Sequence, residues 1–415
     1  MKNSKSCFAL YFGNRGFFPE SLIEFARKEL TESLTKLGFN YLMTDVSLTK
    51  YGAIETAEDG RKYANFLEEN KGKFDGVILC LANFGDENGA VAALQDAGVP
   101  IFILAYPDEL DKMKFHQRRD AFCGKFSIMD VFYQYNIPFT IFPPHTVHPS
   151  SKTFEEQIQK FDRVCQVVKG MRRMTVGAIG ARTTAFKTVR YDEVALQKYG
   201  ITTETLDMSE VFRKVRNLDI ESSTAKEKAQ KLKKYTNFKN VPQRSFDNIV
   251  RFGVVLDNII EEYSLDALAI RCWLEMEIEF GVAPCVLLSV LNDEGISGAC
   301  ELDVCNAITM HALHLGTGTS PACLDWNNNY GDHSDKCILF HCGPVPQSLM
   351  TAKGEIIDHP MFAKTLGDGH GIGCNVGRIA PNKITYASSK TQDGKLQFYI
   401  GEGKITPDPI QEGYF

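Results

Sequence analysis

Three side chains in the second half of the chain put oxygen or nitrogen at the edges of apolar runs. They are Glu301 in "ACELDVCNAITMHALHLG" (299–316), Asp325 in "PACLDWN" (321–327) and His341 in "DKCILFHCGP" (335–344). Together they make an O,O,N donor set. With positions left over for water or substrate, such a set suits Mn²⁺, Fe²⁺ or Co²⁺ better than a four-coordinate structural zinc. Each residue alone carries little weight, since a histidine at a strand end is commonly a satisfied core residue. The conjunction of the three is the signal.

Glu301 poses the sharper question. The segment 299–316 reads as a helix. At about 100° per residue, Val304, Cys305, Ile308, Ala312 and Leu315 fall within about 60° of Glu301, on the stripe that faces a core. Asp303 points the other way. Two readings stay open. Glu301 is a first-turn acid that favours the helix dipole and bends out to water, or it is aimed inward. A buried ionised carboxylate is costly unless it is paired or binds a metal.

The elements that must position these groups follow a regular pattern. "CFALYFG" reads as a strand and "PESLIEFARKELTESLTKLG" as a helix with Pro near its start and Gly after its end. Strands at "YLMTDV", "FDGVILCLA" and "VPIFILAY" alternate with helices at "ETAEDGRKYANFLEENKGK" and "ENGAVAALQDAG". "DAFCGKFSIMDVFYQYNIPFTIF" adds one more helix and strand, and the charged segment 151–173 leads out. This is a βαβ series with a mainly parallel sheet. A second α/β unit begins at "MTVGAIGARTTAF", continues through a helical stretch at 208–263 and contains all three candidate ligands. Acidic and imidazole groups at strand ends are where open α/β sheets place their sites. After about residue 343 glycine becomes frequent and short alternating runs appear, as in "RIAPNKITYASS" and "KLQFYIGEG", which read as antiparallel β structure.

The expected fold is therefore α/β, with two doubly wound parallel-sheet domains and a β-rich, antiparallel, barrel-like C-terminal domain. The boundaries are 1–172 (flavodoxin- or Rossmann-like layout), 173–342 (the metal ligands) and 343–415. The last β unit is short, and the reading expects a segment to be missing after "DPIQEGYF".

Secondary candidates sit on loops. Arg15 in "GNRGFFPES" follows the first strand, where it is solvated or holds a sugar hydroxyl or an anionic group. Asn83 and Phe84 follow another parallel strand, as substrate contacts or as plain loop chemistry. Arg182 lies in "GAIGARTTAF", a glycine-bearing loop without the GxGxxG or Walker spacing, so no nucleotide is expected. Trp326 adjoins Asp325, and His370 is flanked by glycines in "GDGHGIGC". His116, Gln117 and Arg118 read first as a helix-entry charge cluster, and His333 and His359 lie in loop-like surroundings.

Composition bounds the class. The chain has 415 residues, enough for two or three domains, and is 44% hydrophobic and 24% charged with a net charge of −6. That balance points away from nucleic acid and anionic membrane surfaces. The twelve cysteines form no CxxC pair and mostly lie in apolar runs, which fits reduced thiols in a cytoplasmic protein. No run approaches the length of a membrane span.

The stretch "RCWLEMEIEFGVAPCVLLSVLNDEGISGACELD…PACLDW…LFHCGP" resembles the L-fucose/L-arabinose isomerase superfamily, most specifically over about 265–345. It is most similar to the fucose isomerase-like bacterial members. The resemblance implies two α/β domains and a β-rich third. It also implies aldose–ketose interconversion with Mn²⁺ or a similar ion (Mg²⁺, Co²⁺, Fe²⁺) and no nucleotide. Hexamers or trimer-based homo-oligomers are implied, in which a neighbour's first domain completes the site. Glu301 matches the first acidic ligand and Asp325 the second, at the 24-residue spacing of the fucose enzymes. His341 resembles a histidine ligand of the arabinose enzymes, and Arg15 an arginine that touches sugar in trans. The family also takes a histidine from near its C-terminus, and no counterpart follows His370. On this resemblance Glu301 and Asp325 are the pair that moves the proton between C1 and C2, through a cis-enediol. A metal-dependent aldolase or epimerase and a non-catalytic sugar-binding protein are the rival readings.

Overall fold

The computed structural model describes residues 5–411 and 413–414. It is a mixed α/β chain with parallel sheets and antiparallel strands towards the C-terminus, and it divides into two compact units, Met1–Lys169 and Gly170–Phe415.

In the first unit the strands β1 (Cys7–Gly13), β2 (Asn40–Met43), β3 (Gly76–Leu81) and β4 (Ile101–Ala105) form a parallel sheet in the order β2-β1-β3-β4. The period-2 alternation of β1 explains why both faces are covered. Phe8, Leu10 and Phe12 point into one apolar cluster, shared with Ile23, Leu30, Phe154 and Phe161 of flanking helices. Ala9 and Tyr11 point into the other, with Tyr63, Leu94, Ile128 and Phe132. The segment 151–173, read as a way out of the domain, is a helix (Lys152–Met171) that packs Phe154, Ile158 and Phe161 back onto the sheet.

One expected strand is reduced. The segment after helix Ala121–Gln134 was read as continuing the sheet, yet it contributes only a bridge between Phe102 and Thr140. Pro138, Pro143 and Pro144 bracket that bridge. Proline has no N–H to donate to a ladder, so pairing stops on either side.

The second unit repeats the arrangement. Strands β5 (Thr175–Ile179), β6 (Thr202–Leu206), β7 (Ala267–Ile270) and β8 (Ser297–Ala299) form a parallel sheet in the order β6-β5-β7-β8. Val176, Ala178, Ala267, Ala269 and Ala299 face helix Val304–Thr317, while Ile179, Leu268 and Ile270 face the cluster that contains helix Gln243–Glu262. The stretch 208–263 folds as three helices, Met208–Asn217, Ser223–Tyr235 and Gln243–Glu262.

Beyond that sheet the strands pair antiparallel, two by two. They are β9 (Asp325–Asn329) with β10 (Cys337–Phe340), β11 (Glu355–Asp358) with β12 (Ile372–Val376), and β13 (Asn382–Gln392) with β14 (Lys395–Ile405). "PACLDWNN" and "DKCILFHCGP" are thus a hairpin, not strands of the parallel sheet. The β13–β14 turn is Asp393-Gly394, both at positive φ (52° and 69°), as a tight hairpin turn requires. Ser388 and Ser389 of β13 hydrogen-bond to Asn306 and Cys305, which ties this hairpin to helix Val304–Thr317.

Candidate active site

Glu301 is not helical. The helix begins at Val304 with Asp303 as its N-cap, whose carboxylate accepts from the Asn306 N–H at 3.0 Å. Glu301 and Leu302 occupy a turn after β8, each with φ of 61°. Two consecutive non-glycine residues in the left-handed region cost of order 1–3 kcal/mol each. The turn is held because Leu302 is buried and its N–H donates to the Ile270 carbonyl of β7. The wheel reading was therefore wrong in its premise, although Val304, Cys305, Ile308 and Leu315 do face the core. The turn, rather than a helical stripe, carries Glu301 inward. Its carboxylate lies within 4.8 Å of the sulfurs of both Cys272 and Cys300.

Asp325 and His341 arrive on the β9–β10 hairpin. Antiparallel register sets Asp325 opposite Phe340, so the start of β9 and the end of β10 share one end of the hairpin. Asp325 is exposed there. His341 is buried, and its Nε2 lies 3.2 Å from the Cys300 sulfur. The chain then turns at Gly343, where φ is 105° and a Cβ would meet the backbone of Cys374 and Asn375. The Gly343 carbonyl accepts from the Ser289 hydroxyl at 3.1 Å, which anchors the hairpin exit to helix Cys285–Asp293.

The electrostatics join these groups. Burial pushes the Glu301 carboxyl up to about 7, and Asp325 and then Asp303 add to the rise. Burial lowers the His341 imidazole below its usual range, against the opposing pull of Asp325. Among the described residues, the acid, thiol and imidazole ligand atoms that lie within 4.8 Å of one another are those of Cys272, Cys300 and Glu301, so Asp325 and His341 share the electrostatics of this region without being gathered with Glu301 at that spacing.

The other expected residues of this unit make local contacts. Arg182, half-buried in the loop after β5, donates to the carbonyls of Thr183 and Thr184. Trp326 is exposed; its indole N–H donates to the Tyr399 hydroxyl at 3.3 Å, and its ring meets Tyr386 edge-on. The His370 ring pairs with the Gly367 carbonyl of its own loop.

Arg15, Asn83 and Phe84 belong to the first unit and cluster with one another. They follow β1 and β3, the two strands between which the order β2-β1-β3-β4 reverses direction, the place where open α/β sheets bind ligands. Asn83 is fully buried and donates to Asn14, which in turn donates to Glu55. The Arg15 guanidinium pairs with Glu87, donates to the Gly85 carbonyl at 2.8 Å and lies 4.3 Å from the centre of the Phe84 ring. Gly124 lets helix Ala121–Gln134 approach the Phe84 backbone, since a Cβ there would overlap the Phe84 carbonyl.

Two residues beside Glu301 carry no signal in the sequence beyond that of core thiols: Cys272 and Cys300 are brought together by the parallel pairing of β7 with β8. His359 is buried, and His341 contributes to lowering its imidazole. It caps helix Pro360–Leu366, accepting from the Met361 N–H at 3.2 Å.

Residues 9–172 match the family described as fucose/sulfoquinovose isomerase, N-terminal domain. A sulfoquinovose isomerase from Priestia aryabhattai is 24% identical over 287 residues, covering 68% of this chain and 63% of that protein. One from Clostridium sp. (strain MSTE9) is 26% identical over 271 residues, covering 63% of this chain and 58% of its own length. The chain thus spans somewhat less than two thirds of the curated relatives it matches. A solute-binding protein from Burkholderia multivorans aligns over 77% of this chain and 95% of its own at 11% identity, with a TM-score of 0.20, too low to bear on function. No helix among the described residues is long and apolar enough to cross a membrane.

Proposed function

We propose that this chain, whose residues 9–172 match the fucose/sulfoquinovose isomerase N-terminal domain, is a member of that family and a metal-dependent aldose–ketose isomerase acting on a free sugar. The observation that supports the reading is Glu301: a half-buried carboxylate, held by a strained turn, whose pKa is raised to about 7 by burial and then by the charge of Asp325.

Glu301, Asp325 and His341 would hold Mn²⁺ or a similar ion (Mg²⁺, Co²⁺ or Fe²⁺). When bound, that ion supplies Lewis-acid polarisation of the sugar carbonyl. No nucleotide takes part. The chain's own residues do the proton work. Burial holds the Glu301 carboxyl pKa at about 7 in the ion-free protein; a bound cation would favour its ionised form, which can take a proton from one sugar carbon and return it to the other. Glu301 and Asp325 share that duty across a cis-enediol, since their environments differ in burial. His341, neutral through burial, offers a nitrogen lone pair without adding charge.

The substrate to test first is a sulfonated aldose, because the matched relatives are sulfoquinovose isomerases. The Arg15, Asn83 and Phe84 cluster of a second copy would contact the sugar in a homo-oligomer with shared sites, a hexamer or a trimer-based assembly, with Arg182, Trp326 and His370 as further contacts. All twelve cysteines are free, which fits a reducing cytoplasmic setting.

An aldose panel with added Mn²⁺, followed by NMR in D₂O, tests the assignment. Isomerisation yields a ketose with solvent deuterium at C1. Two fragments would identify an aldolase, and sugar binding that persists after chelator treatment without turnover would identify a binding protein.

A further inference from the structure

Two thiols lie beside Glu301 and His341. The sulfurs of Cys272 and Cys300 and a carboxylate oxygen of Glu301 lie within 4.8 Å of one another. The same Cys300 sulfur is 3.2 Å from Nε2 of His341. Cys272 follows β7 and Cys300 follows β8, and the pairing of Ala269 with Ala299 fixes the two strand ends side by side. Cys272 is 6% exposed, Cys300 4% and His341 8%, so the cluster is shielded from bulk solvent.

Donors around a tetrahedral zinc, at metal–sulfur lengths of about 2.3 Å and metal–nitrogen lengths of about 2.0–2.1 Å, stand roughly 3.5–4 Å apart. Cys272, Cys300 and Glu301, mutually within 4.8 Å, need modest side-chain shifts to reach that arrangement, and the His341 ring, 3.2 Å from the Cys300 sulfur, must also turn towards Cys272 and Glu301. We propose that Cys272, Cys300, His341 and Glu301 form an S,S,N,O site for a thiophilic divalent cation, zinc or cadmium, overlapping the ion position of the isomerase centre. The proposal rests on the functional reading above for Glu301 and His341, and it adds the two sulfurs.

Softness separates the two classes of ion. Thiolate sulfur favours zinc, whereas Mn²⁺ and Mg²⁺ favour carboxylate and water oxygen. A hard ion held from the Asp325 side keeps positions open for sugar oxygens. A thiophilic ion drawn to the sulfurs completes four-coordination with protein donors, releases the two thiol protons to solvent and leaves no position for substrate. One donor cluster thus selects between an ion that permits sugar binding and one that blocks it.

The test uses the full chain freed of metal by chelator. Cobalt(II), added alone, is expected to give the near-ultraviolet sulfur-to-cobalt charge-transfer band of thiolate ligation. That band falls by about half in Cys272→Ser and in Cys300→Ser and vanishes in the double variant, each ligand contributing its own share. By calorimetry the double variant binds Zn²⁺ at least about 100-fold more weakly and Mn²⁺ within about threefold of the unaltered protein. Far-ultraviolet circular dichroism checks that the variants fold. If Mn²⁺ binds and cobalt gives no charge-transfer band, the thiol site is wrong and the isomerase centre stands. If neither Mn²⁺, Zn²⁺ nor Co²⁺ binds the unaltered protein, both fall together.

Discussion

Asp325 and His341 share one end of a hairpin because Asp325 lies opposite Phe340 in the β9–β10 ladder. The pairing places an exposed carboxylate and a buried imidazole at one hairpin end, and Asp325 counters the loss of basicity that burial imposes on His341. A hairpin with this register does what two separate parallel strand ends would otherwise have to do.

Removing divalent ions should abolish turnover. Dialysis against a chelator is expected to bring ketose formation to background, and Mn²⁺ alone to restore it. Undiminished activity in the chelated protein would remove the ion from the mechanism.

Gly343→Ala should loosen the hairpin exit. The residue has φ of 105°, and its added Cβ would meet the Cys374 and Asn375 backbone. Destabilisation of roughly 1–3 kcal/mol is expected by urea unfolding, with a loss in kcat/KM beyond that seen for an equally destabilised variant remote from the hairpin. Equal losses in the two would mean that Gly343 serves the fold alone.

Glu277 supplies a pH test of stability away from the ion pocket's own ligands. It is fully buried, neither carboxylate oxygen has a hydrogen-bond partner among the described residues, and burial above all pushes its pKa up to about 8. Unfolded, it titrates near 4.3. Between those values the folded chain keeps a proton that the unfolded chain has lost, so this group makes stability fall as pH rises from about 4.3 to about 8. Glu277→Gln removes that loss. Urea midpoints at pH 5 and pH 9 should show the unaltered protein losing more stability than the variant, by on the order of 2–4 kcal/mol. Parallel curves would contradict the assignment.

Arg15 distinguishes a substrate contact from a structural ion pair. Its planar fork engages Glu87 and the Gly85 carbonyl, and lysine cannot reproduce that geometry. If Arg15 also reads the sugar, Arg15→Lys lowers kcat/KM by about 10–100-fold, the worth of one or two charge-assisted hydrogen bonds. A drop in melting temperature with unchanged kcat/KM would assign it to the loop alone.

Local pattern made much of the fold legible. The run "CFALYFG" coincides with β1, and Asp393-Gly394 turns the last hairpin between two alternating runs. What failed depended on non-local pairing or backbone strain. Pro138 and its neighbours stopped a strand that hydrophobicity alone would have continued. Glu301 and Leu302 left the helical path because Leu302 is pinned to Ile270, a residue that sequence periodicity around 301 cannot register. Cys272 and Cys300 became neighbours only through the pairing of β7 with β8. The three candidate ligands stood out by residue type at the edges of apolar runs. That Asp325 and His341 would share a hairpin end was not readable, since nothing local specifies the register of β9 against β10.

The most direct measurement is proton exchange at the sugar in Glu301→Gln. With Mn²⁺ and a turned-over aldose in D₂O, the unaltered protein should place deuterium at C1 of the ketose. The variant, folded by circular dichroism, should exchange more slowly by a factor of about 10²–10⁴ or more. Exchange in the variant at a rate near that of the unaltered protein would mean that the half-buried carboxylate of Glu301 does not carry the proton.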